Sequence, residues 1–390
     1  MKAVELYRSV PRYLAARTLT RRVPAAAGLA PLRLVDRRPP ATPAGWVRVR
    51  PLLSGICGSD LATVAGRSSF YFSPLVTLPF TPGHEVVGEL LDDAGAGLPA
   101  GTRVVLDPVL SCLPRGLEPC PSCSSGATGR CDRVTLGHVR PGLQTGFCAD
   151  TGGGWSGGLV AHPAQLHAVP AGMPDERAVL AEPLACAVHV ALRAAPEAGA
   201  SVLVVGAGAV GLLTVLALRA LTSAGTVTVV AKHARQADLA RALGADAVVA
   251  PADVVRAVRR TTRAVALHPE RGPDFLLGGV DVAVECAGSA GGLATALRTT
   301  RAGGRVVLAG LPAAGADLTP LWFRELELVG AYATGAGDFR RSLELLDDDR
   351  LAGLGTSFHP LTRWREALEA ASSAGRLGLV KVGFDCREST

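Results

Sequence analysis

The sequence has few charged and few aromatic residues for its length. Only 19% of its 390 residues are Asp, Glu, Lys or Arg and only 4% are aromatic, whereas 48% are hydrophobic. This composition excludes an intrinsically disordered chain, because such chains combine high charge with too little apolar surface to bury. The length exceeds the ~100–200 residues usual for one domain, so we expect two domains.

A concentrated basic surface is also missing. Lys and Arg total 40 against 34 Asp and Glu, a net charge of +6, but the basic residues are scattered singly and in pairs. We therefore expect no nucleic-acid partner. The first 24 residues lack a continuous apolar core and are interrupted by Pro11, so no secretion signal is expected and the protein is predicted to be cytoplasmic.

The uncharged stretch 198–218 is the one segment long enough to suggest a membrane span. Its β-prone residues, followed by three spaced glycines, instead favour a strand, a tight turn and a buried helix. We therefore expect no membrane partner.

Two sequence patterns divide the chain. From about residue 32 to 170, short strands such as WVRVRPLLSG and TRVVLDPVL are separated by Gly, Pro and Ser clusters, which is typical of an irregular β domain. After Glu182, strands alternate with helices, as in SVLVVG followed by a helix and TVTVVA followed by ADLARALGA. This alternation predicts a parallel sheet with helices on both faces. The final 60 residues return to mixed structure.

A glycine motif opens the second pattern. Gly206, Gly208 and Gly211 form G-x-G-x-x-G directly after the strand SVLVV. In such a motif the first glycine permits the turn, the second lets the backbone approach a pyrophosphate, and the third lets the helix pack on the strand. The flanking strand and helix favour a dinucleotide site over a chance arrangement of glycines.

Four of the nine cysteines fall within 20 residues: Cys112, Cys120, Cys123 and Cys131. Thiolates on short loops can close a tetrahedral zinc site and substitute for a hydrophobic core. The alternative is four unlinked thiols in a mobile loop. We favour zinc, because so many cysteines among Pro, Gly and Ser cannot all be buried core residues.

Cys57 in GICGSD and His84 in PGHE each end an apolar segment beside a glycine. A thiolate and an imidazole, completed by a carboxylate or water, make an open catalytic zinc site. Taken separately, such residues are more often packed or solvated side chains. Their joint role depends on a fold that brings them together.

Several segments occur in the order and rough spacing of one enzyme family. They are GICGSD, PGHEVVGEL, the cysteine cluster, EPLACAVH, VLVVGAGAVG, VECAGS and GGRVVLAG. Over about residues 32 to 384 the chain resembles the zinc-dependent medium-chain alcohol dehydrogenases. It is most similar to the polyol and threonine dehydrogenase-like branch, because Glu85 follows His84 and the later segment reads Glu182-Pro183-Leu184.

The resemblance implies an α/β protein with a GroES-like β-domain and a Rossmann domain built on a doubly wound parallel sheet. The GroES-like catalytic domain is expected at 1–185, with a structural-zinc lobe at 112–131. The dinucleotide-binding domain is expected at 186–330, and 331–390 is expected to return to the catalytic domain. The resemblance also implies a homo-oligomer, either a dimer or a tetramer.

The resemblance also implies residue roles. Cys57 and His84 correspond to catalytic zinc ligands, Glu85 to a ligand or near neighbour, and Glu182 to a ligand that exchanges with water. Ser59 matches the hydroxyl that passes the substrate proton onward. The implied activity is hydride transfer between a small alcohol or carbonyl substrate and a nicotinamide, with zinc polarising the substrate oxygen.

The chain departs from the family pattern at three positions. Ala62 stands where the family often has a proton-relaying His, so the proton must leave by another path. Leu117 stands where the first structural cysteine usually lies, and Cys112 precedes it. Ala231 replaces the acidic residue expected at the end of the second nucleotide-fold strand.

Cations follow that missing acid. Lys232, His233 and Arg235 are placed where a charge could reach a 2′-phosphate, so we predict NADP over NAD. Two other functions are compatible with the motifs. One is zinc-assisted reduction of a C=N or conjugated double bond on the same scaffold, and the other is a catalytically silent dinucleotide- and zinc-binding protein.

Overall fold

The computed structural model describes residues 1–19, 28–95, 97–311 and 316–389. These residues form two compact units. Unit 1 comprises Met1–Glu182, Thr334–Asp347 and Leu354–Thr390, and unit 2 comprises Pro183–Ala333 and Asp348–Gly353. Each unit is built on its own sheet, so the α/β fold class is confirmed.

Within the described residues the chain forms seventeen strands and thirteen α-helices. The strands are β1 (Lys2–Leu6), β2 (Leu32–Asp36), β3 (Val47–Gly55), β4 (Val86–Leu90), β5 (Arg103–Leu106), β6 (Leu159–Ala161), β7 (Leu166–Ala168), β8 (Val202–Val205), β9 (Val227–Val230), β10 (Ala247–Val249), β11 (Val265–Leu267), β12 (Phe275–Leu277), β13 (Val280–Glu285), β14 (Thr300–Leu308), β15 (Glu327–Gly330), β16 (Thr356–Pro360) and β17 (Lys381–Asp385). The helices are α1 (Val10–Leu19), α2 (Gly58–Val64), α3 (Pro121–Ser124), α4 (Asp175–Ala178), α5 (Ala181–Ala194), α6 (Ala209–Leu221), α7 (Ala234–Ala242), α8 (Val254–Thr262), α9 (Ala290–Thr299), α10 (Thr319–Phe323), α11 (Asp338–Leu345), α12 (Trp364–Ser372) and α13 (Ala374–Leu377).

Unit 1 is organised by a seven-stranded sheet. Its order is β16-β17-β3-β4-β5-β7, with β6 also paired to β3, and all its pairs except β16–β17 are antiparallel. Alternate residues of β3, β4 and β5 pack into an apolar core with Leu159 and Leu166. A second core surrounds the fully buried Trp155 and Phe384. The long β3 and its partner β4 therefore hold the segments that follow them, GICGSD and PGHE, in one region.

Unit 2 contains a six-stranded parallel sheet of order β10-β9-β8-β13-β14-β15. Every residue of β8 and β9 is buried, as expected for central strands covered on both faces. The chain order runs outward in opposite directions from the neighbouring strands β8 and β13. This reversal is the switch point at whose carboxyl end ligands bind in doubly wound sheets.

The uncharged stretch 198–218 folds as predicted, with β8 followed by the glycine turn and α6. None of the helices in the described part of the chain has the length and apolarity needed to cross a membrane.

Candidate active site and metal centres

The three motif glycines lie between β8 and α6, and each meets a different constraint. Gly206 has a φ of +105°, and a Cβ there would lie 2.9 Å from the backbone nitrogen of Ala287. Gly208 is the N-cap of α6 and has open space where its Cβ would stand. A Cβ on Gly211 would overlap the carbonyl oxygen of Gly206. Turn, open approach and close packing are the three properties that a pyrophosphate loop requires.

The predicted phosphate-binding cations lie at the start of α7. Ala231 is buried at the end of β9, whereas Lys232 is exposed and His233 is the N-cap of α7. Arg235 is exposed, and its Nη2 donates to the carbonyl oxygen of Gly353 at 3.0 Å. Lys232 thus projects into solvent, while part of the Arg235 guanidinium already has a partner.

Three potential metal ligands converge in unit 1. The ligand atoms of Cys57, His84 and Glu85 all lie within 4.8 Å of one another. His84 and Glu85 are buried, and Cys57 is partly buried at the N-cap of α2. Glu182 is buried in the first turn of α5 but is not a member of this cluster. Ser59 is exposed on α2, two residues beyond Cys57.

Asp60 supports two members of the cluster. Its Oδ2 accepts the backbone N–H of Cys57 at 2.9 Å, and its Oδ1 lies 3.5 Å from Nδ1 of His84. Burial opposes the charging of His84, but Asp60 and Cys57 outweigh it and raise the pKa of the imidazole. A carboxylate behind the imidazole is the usual partner of a metal-binding His, because it fixes the ring and its tautomer.

Lys381 holds Glu85 in place. Its Nζ donates to both carboxylate oxygens at 2.6 Å, and both side chains are at most 3% exposed. Burial lowers the pKa of Lys381, but Glu85, Cys57 and Glu182 raise it overall. A Cβ on Gly55, at the end of β3, would overlap Oε2 of Glu85, so the glycine of GICGSD leaves room for that carboxylate.

Sequence reasoning missed Lys381. The available signal was a single lysine in LVKVGF, an otherwise apolar strand, and a charge at such a position must have a buried partner. The sequence gives no indication of which acid that partner is.

Phe147 is a second residue beside the cluster that the sequence did not reveal. Its ring centroid lies 5.9 Å from that of His84 and 5.3 Å from that of Phe80. The side chain is only partly buried, so it presents an apolar surface next to a candidate metal ligand. Phe70 and Tyr71, in the loop after α2, are instead 70% and 79% exposed.

The four clustered cysteines also converge. The Sγ atoms of Cys112, Cys120, Cys123 and Cys131 lie within 4.8 Å of one another. Backbone N–H groups of Cys120 and Arg133 point at the sulfurs of Cys112 and Cys131, each at 3.4 Å. Leu117 packs against these thiols, so Cys112 occupies the fourth corner of the cluster.

Arg115 organises the segment around these cysteines. The residue is 0% exposed, and its guanidinium donates to backbone carbonyls rather than to a carboxylate. The acceptors are the carbonyl oxygens of Leu110, Leu136, Val139, Arg140 and Gly142, at 2.7 to 3.4 Å. Burial lowers the pKa of Arg115, whereas Cys148, Cys131 and Cys112 favour its charge.

Comparisons with known proteins agree with this arrangement. The GroES-like domain of alcohol dehydrogenases matches residues 43–171, and the zinc-binding dehydrogenase family matches residues 209–348. L-idonate 5-dehydrogenase of Vitis vinifera is 32% identical over 292 residues, which cover 73% of each chain. The structure of 2R,3R-butanediol dehydrogenase from Bacillus subtilis superposes with a TM-score of 0.71 at 25% identity, covering 91% of this chain and 96% of the other. A protein of Sinorhizobium meliloti described as a zinc-binding dehydrogenase bound to NADP gives a TM-score of 0.65 at 28% identity, covering 91% and 95%.

The chain belongs to the zinc-dependent medium-chain alcohol dehydrogenases and is polyol dehydrogenase-like. The protein is thus an NAD(P)-dependent zinc oxidoreductase that transfers hydride between a nicotinamide cofactor and an alcohol or carbonyl substrate. The predictions of family, fold class and enzyme activity are confirmed. Unit 2, with its glycine turn at the switch point, carries the dinucleotide fold.

Proposed function

We propose that Cys57, His84 and a carboxylate from Glu85 or Glu182 hold the catalytic zinc. The observation that carries the proposal is the convergence of a thiolate, an imidazole and a carboxylate within 4.8 Å in a buried part of unit 1. Zinc accepts this donor set, and three protein ligands leave a fourth position for substrate. Asp60, facing Nδ1 of His84, leaves Nε2 as the metal-binding nitrogen.

Lys381 links the two carboxylates. It holds both oxygens of Glu85, and Glu182 is close enough to favour its charge. We place Lys381 as the group that retains whichever carboxylate is not bound to metal. Glu85 or Glu182 then supplies the ligand oxygen as substrate or water enters and leaves.

Each residue near the reacting atoms has a separate role in alcohol oxidation. When bound, zinc acts as a Lewis acid on the substrate oxygen, and the nicotinamide takes the hydride from the carbinol carbon. Ser59, exposed at the start of α2, accepts the hydroxyl proton of the substrate and passes it to solvent. This route makes a histidine at position 62 unnecessary.

We propose a secondary alcohol, polyol or amino alcohol as substrate. The names of the relatives refer to L-idonate and 2R,3R-butanediol, which both carry a secondary hydroxyl group. Phe147 supplies an apolar wall beside His84 for the carbon adjacent to the reacting one. The contact thus favours substrates with a short apolar arm over those hydroxylated at every carbon.

A nicotinamide-coupled spectrophotometric screen of purified protein tests this activity. Secondary alcohols, polyols and amino alcohols are offered in turn with NAD and with NADP. We expect turnover with at least one of these classes, and higher kcat/KM for 2,3-butanediol than for sorbitol. Turnover confined to primary alcohols, or its absence from all three classes in zinc-loaded protein, would contradict the substrate proposal.

We also propose a structural zinc on Cys112, Cys120, Cys123 and Cys131. Four thiols whose sulfurs converge without an open position form the closed donor set of structural zinc sites. Backbone N–H groups of Asp132 and Cys123 lower the pKa of Cys120, which favours the thiolate that binds metal.

We propose NADP as the preferred cofactor. The absence of an acidic side chain at Ala231 removes the repulsion that a 2′-phosphate would meet, and Lys232 is exposed beside it. The Sinorhizobium meliloti protein bound to NADP is a relevant parallel. If the proposal is correct, kcat/KM favours NADP by about tenfold, equivalent to ~1.4 kcal/mol.

Two variants sharpen the cofactor test. Lys232→Ala is expected to reduce the NADP preference more than Arg235→Ala, because Arg235 is partly engaged with Gly353. Arg241→Ala, farther along α7 and paired with Asp238, is the matched control. A kcat/KM for NAD equal to or greater than that for NADP in the parent protein would overturn this assignment.

The oligomeric state and location are further proposals. The strand β15 ends the unit 2 sheet, and Leu328 on it and Trp322 on α10 are 38% and 81% exposed. We propose that this edge joins copies of the chain into a dimer or tetramer, which analytical ultracentrifugation would detect as two or four times 40.0 kDa. All nine cysteines are free thiols, in keeping with the reducing cytoplasm.

A further inference from the structure

Three loops of unit 2 meet at the carboxyl end of its sheet. They follow the neighbouring strands β8, β13 and β14 and contain Gly206, Ala287–Ser289 and Gly310. A Cβ on Gly206 would lie 3.0 Å from the Cα of Ala287, and one on Gly310 would lie 2.7 Å from the Cα of Gly288. The loop after β13 is therefore packed between the other two, backbone against backbone.

The side chain of Glu285 lies beneath this middle loop. Glu285 is the last residue of β13 and is 0% exposed. Its Oε1 accepts the N–H groups of Ala287 at 3.1 Å and Ser289 at 3.4 Å, and its Oε2 accepts that of Gly288 at 3.0 Å. Within the described residues, no Lys, Arg or His forms an ion pair with it.

The glycines around Glu285 leave room for its carboxylate. A Cβ on Gly292 would overlap Oε1, and one on Gly310 would lie 2.9 Å from Oε2. The backbone oxygen of Glu285 accepts the N–H groups of Ala309 and Gly310, at 3.0 and 2.9 Å. One residue thus joins the loop after β13 to the loop after β14 through its main chain and side chain together.

The position of this loop connects it to the dinucleotide. The switch point lies between β8 and β13, so the crevice that receives the ligand is bounded by the loops that follow these two strands. The first motif glycine forms one side, and Ala287 contacts that glycine from the other. A displacement of Ala287 would change the width of the crevice.

We propose that Glu285 is a positioning residue of the cofactor site, which holds the loop 286–289 against Gly206 so that the crevice has its binding geometry before the dinucleotide arrives. A buried carboxylate that takes three N–H groups fixes a loop more firmly than solvent does. The inference rests on dinucleotide binding by unit 2. It is independent of the zinc assignments and of the preference for NADP.

The test uses Glu285→Gln, which keeps the size of the side chain but replaces one acceptor oxygen by an amide nitrogen. Val284→Ala is the matched control, because Val284 is the preceding, fully buried residue of β13 and its loss lowers stability without touching the loop. The Kd values of NADH and NADPH are measured by fluorescence titration, together with Tm and zinc content.

We expect Glu285→Gln to raise the Kd of the better-bound dinucleotide at least tenfold, while the KM of the alcohol at saturating cofactor and the zinc content stay within threefold. Val284→Ala should leave the Kd within threefold despite a comparable fall in Tm. An unchanged Kd in Glu285→Gln, or an equal rise in Val284→Ala, would overturn the proposal. If the parent protein bound neither dinucleotide, dinucleotide binding itself would be refuted along with the positioning role.

Hydrogen exchange on the unmodified protein gives a second test that does not depend on a variant folding. Ala287 and Ser289 are exposed, so protection of their amides must come from the hydrogen bonds to Glu285. We expect these amides to be protected without cofactor, relative to those of the exposed stretch 269–273 in the same unit. Exchange as fast as in that stretch would contradict a preformed loop.

Discussion

Unit 1 holds two clusters of potential zinc ligands that the chain assembles in different ways. The four-cysteine cluster comes from 20 consecutive residues and is surrounded by a short segment that Arg115 joins together. The cluster of Cys57, His84 and Glu85 is formed at the ends of two paired strands, and its acid is held by Lys381, almost 300 residues later. The first is local and the second depends on the whole unit.

The difference indicates what each cluster can do. Four thiols leave no position for a substrate, so the cysteine cluster can stabilise the segment but cannot take part in the reaction. Three mixed ligands leave a position open, and their supporting residues Asp60 and Lys381 control how the ligands are presented. Substitutions in the two clusters should therefore separate turnover from stability.

The largest effect on turnover is expected from Cys57→Ser. Loss of the thiolate removes the metal on which the reaction depends, so turnover should be abolished, whereas cofactor affinity and Tm should change little. Cys386→Ser is the control, because Cys386 is buried in the same unit and is not a proposed ligand. Normal activity in Cys57→Ser would refute the catalytic assignment.

A smaller loss is expected from Asp60→Asn. Residues that orient a metal-binding His typically contribute about 10- to 100-fold in metal affinity or activity, and we expect a decrease in that range. Activity and zinc content are measured together. Asp92→Asn, which breaks an exposed pair with Arg48, should have almost no effect. Equal behaviour of the two variants would argue against a role for Asp60 behind His84.

Cys123→Ser should leave turnover within about threefold, because the cysteine cluster has no open position for a substrate. The zinc content should fall from two ions per chain to one, and Tm should fall because metal binding contributes to folding. Cys148→Ser should retain both ions, since Cys148 is buried in the same segment but lies outside the cluster. Finding at most one zinc in fully loaded, active parent protein would count against the four-cysteine site.

Arg115→Met should have the smallest effect on turnover and a clear effect on stability. Each buried carbonyl left without a donor costs about 1–3 kcal/mol, so the five acceptors predict a loss of at least about 3 kcal/mol. Chemical denaturation measures it. Arg133→Met, in the same segment but with one acceptor, should cost much less. If both variants were equally stable, Arg115 would not be the organising residue of the segment.

The sequence could predict the local features of both units. The glycine turn follows from spacing and a flanking strand, and the cysteine cluster from density alone, because its members are close along the chain. Cys57 and His84 could be assigned only through resemblance, because their proximity depends on the pairing of β3 with β4. The two-stranded sheet of β1 and β2 was predicted only in part, at residues 32–36.

The residues that support the sites could not be predicted from the sequence. Lys381 and Glu285 each stand in or at the end of an apolar strand, where one charge carries no information about its partner. For Glu285 the partners are backbone N–H groups, which have no signature in a sequence. Both became apparent only as buried charges whose contacts could be traced.

The partnership of Glu85 and Lys381 also has a consequence for how the enzyme is made. At the ~5–20 residues per second of protein synthesis, Lys381 is added roughly 15 to 60 seconds after Glu85, because 296 positions separate them. Until β17 pairs with β3, Glu85 has no cation beside it. A nascent chain can thus present Cys57 and His84 to metal well before its acid is neutralised, so that maturation of the active site is one of the last events in the biogenesis of the protein.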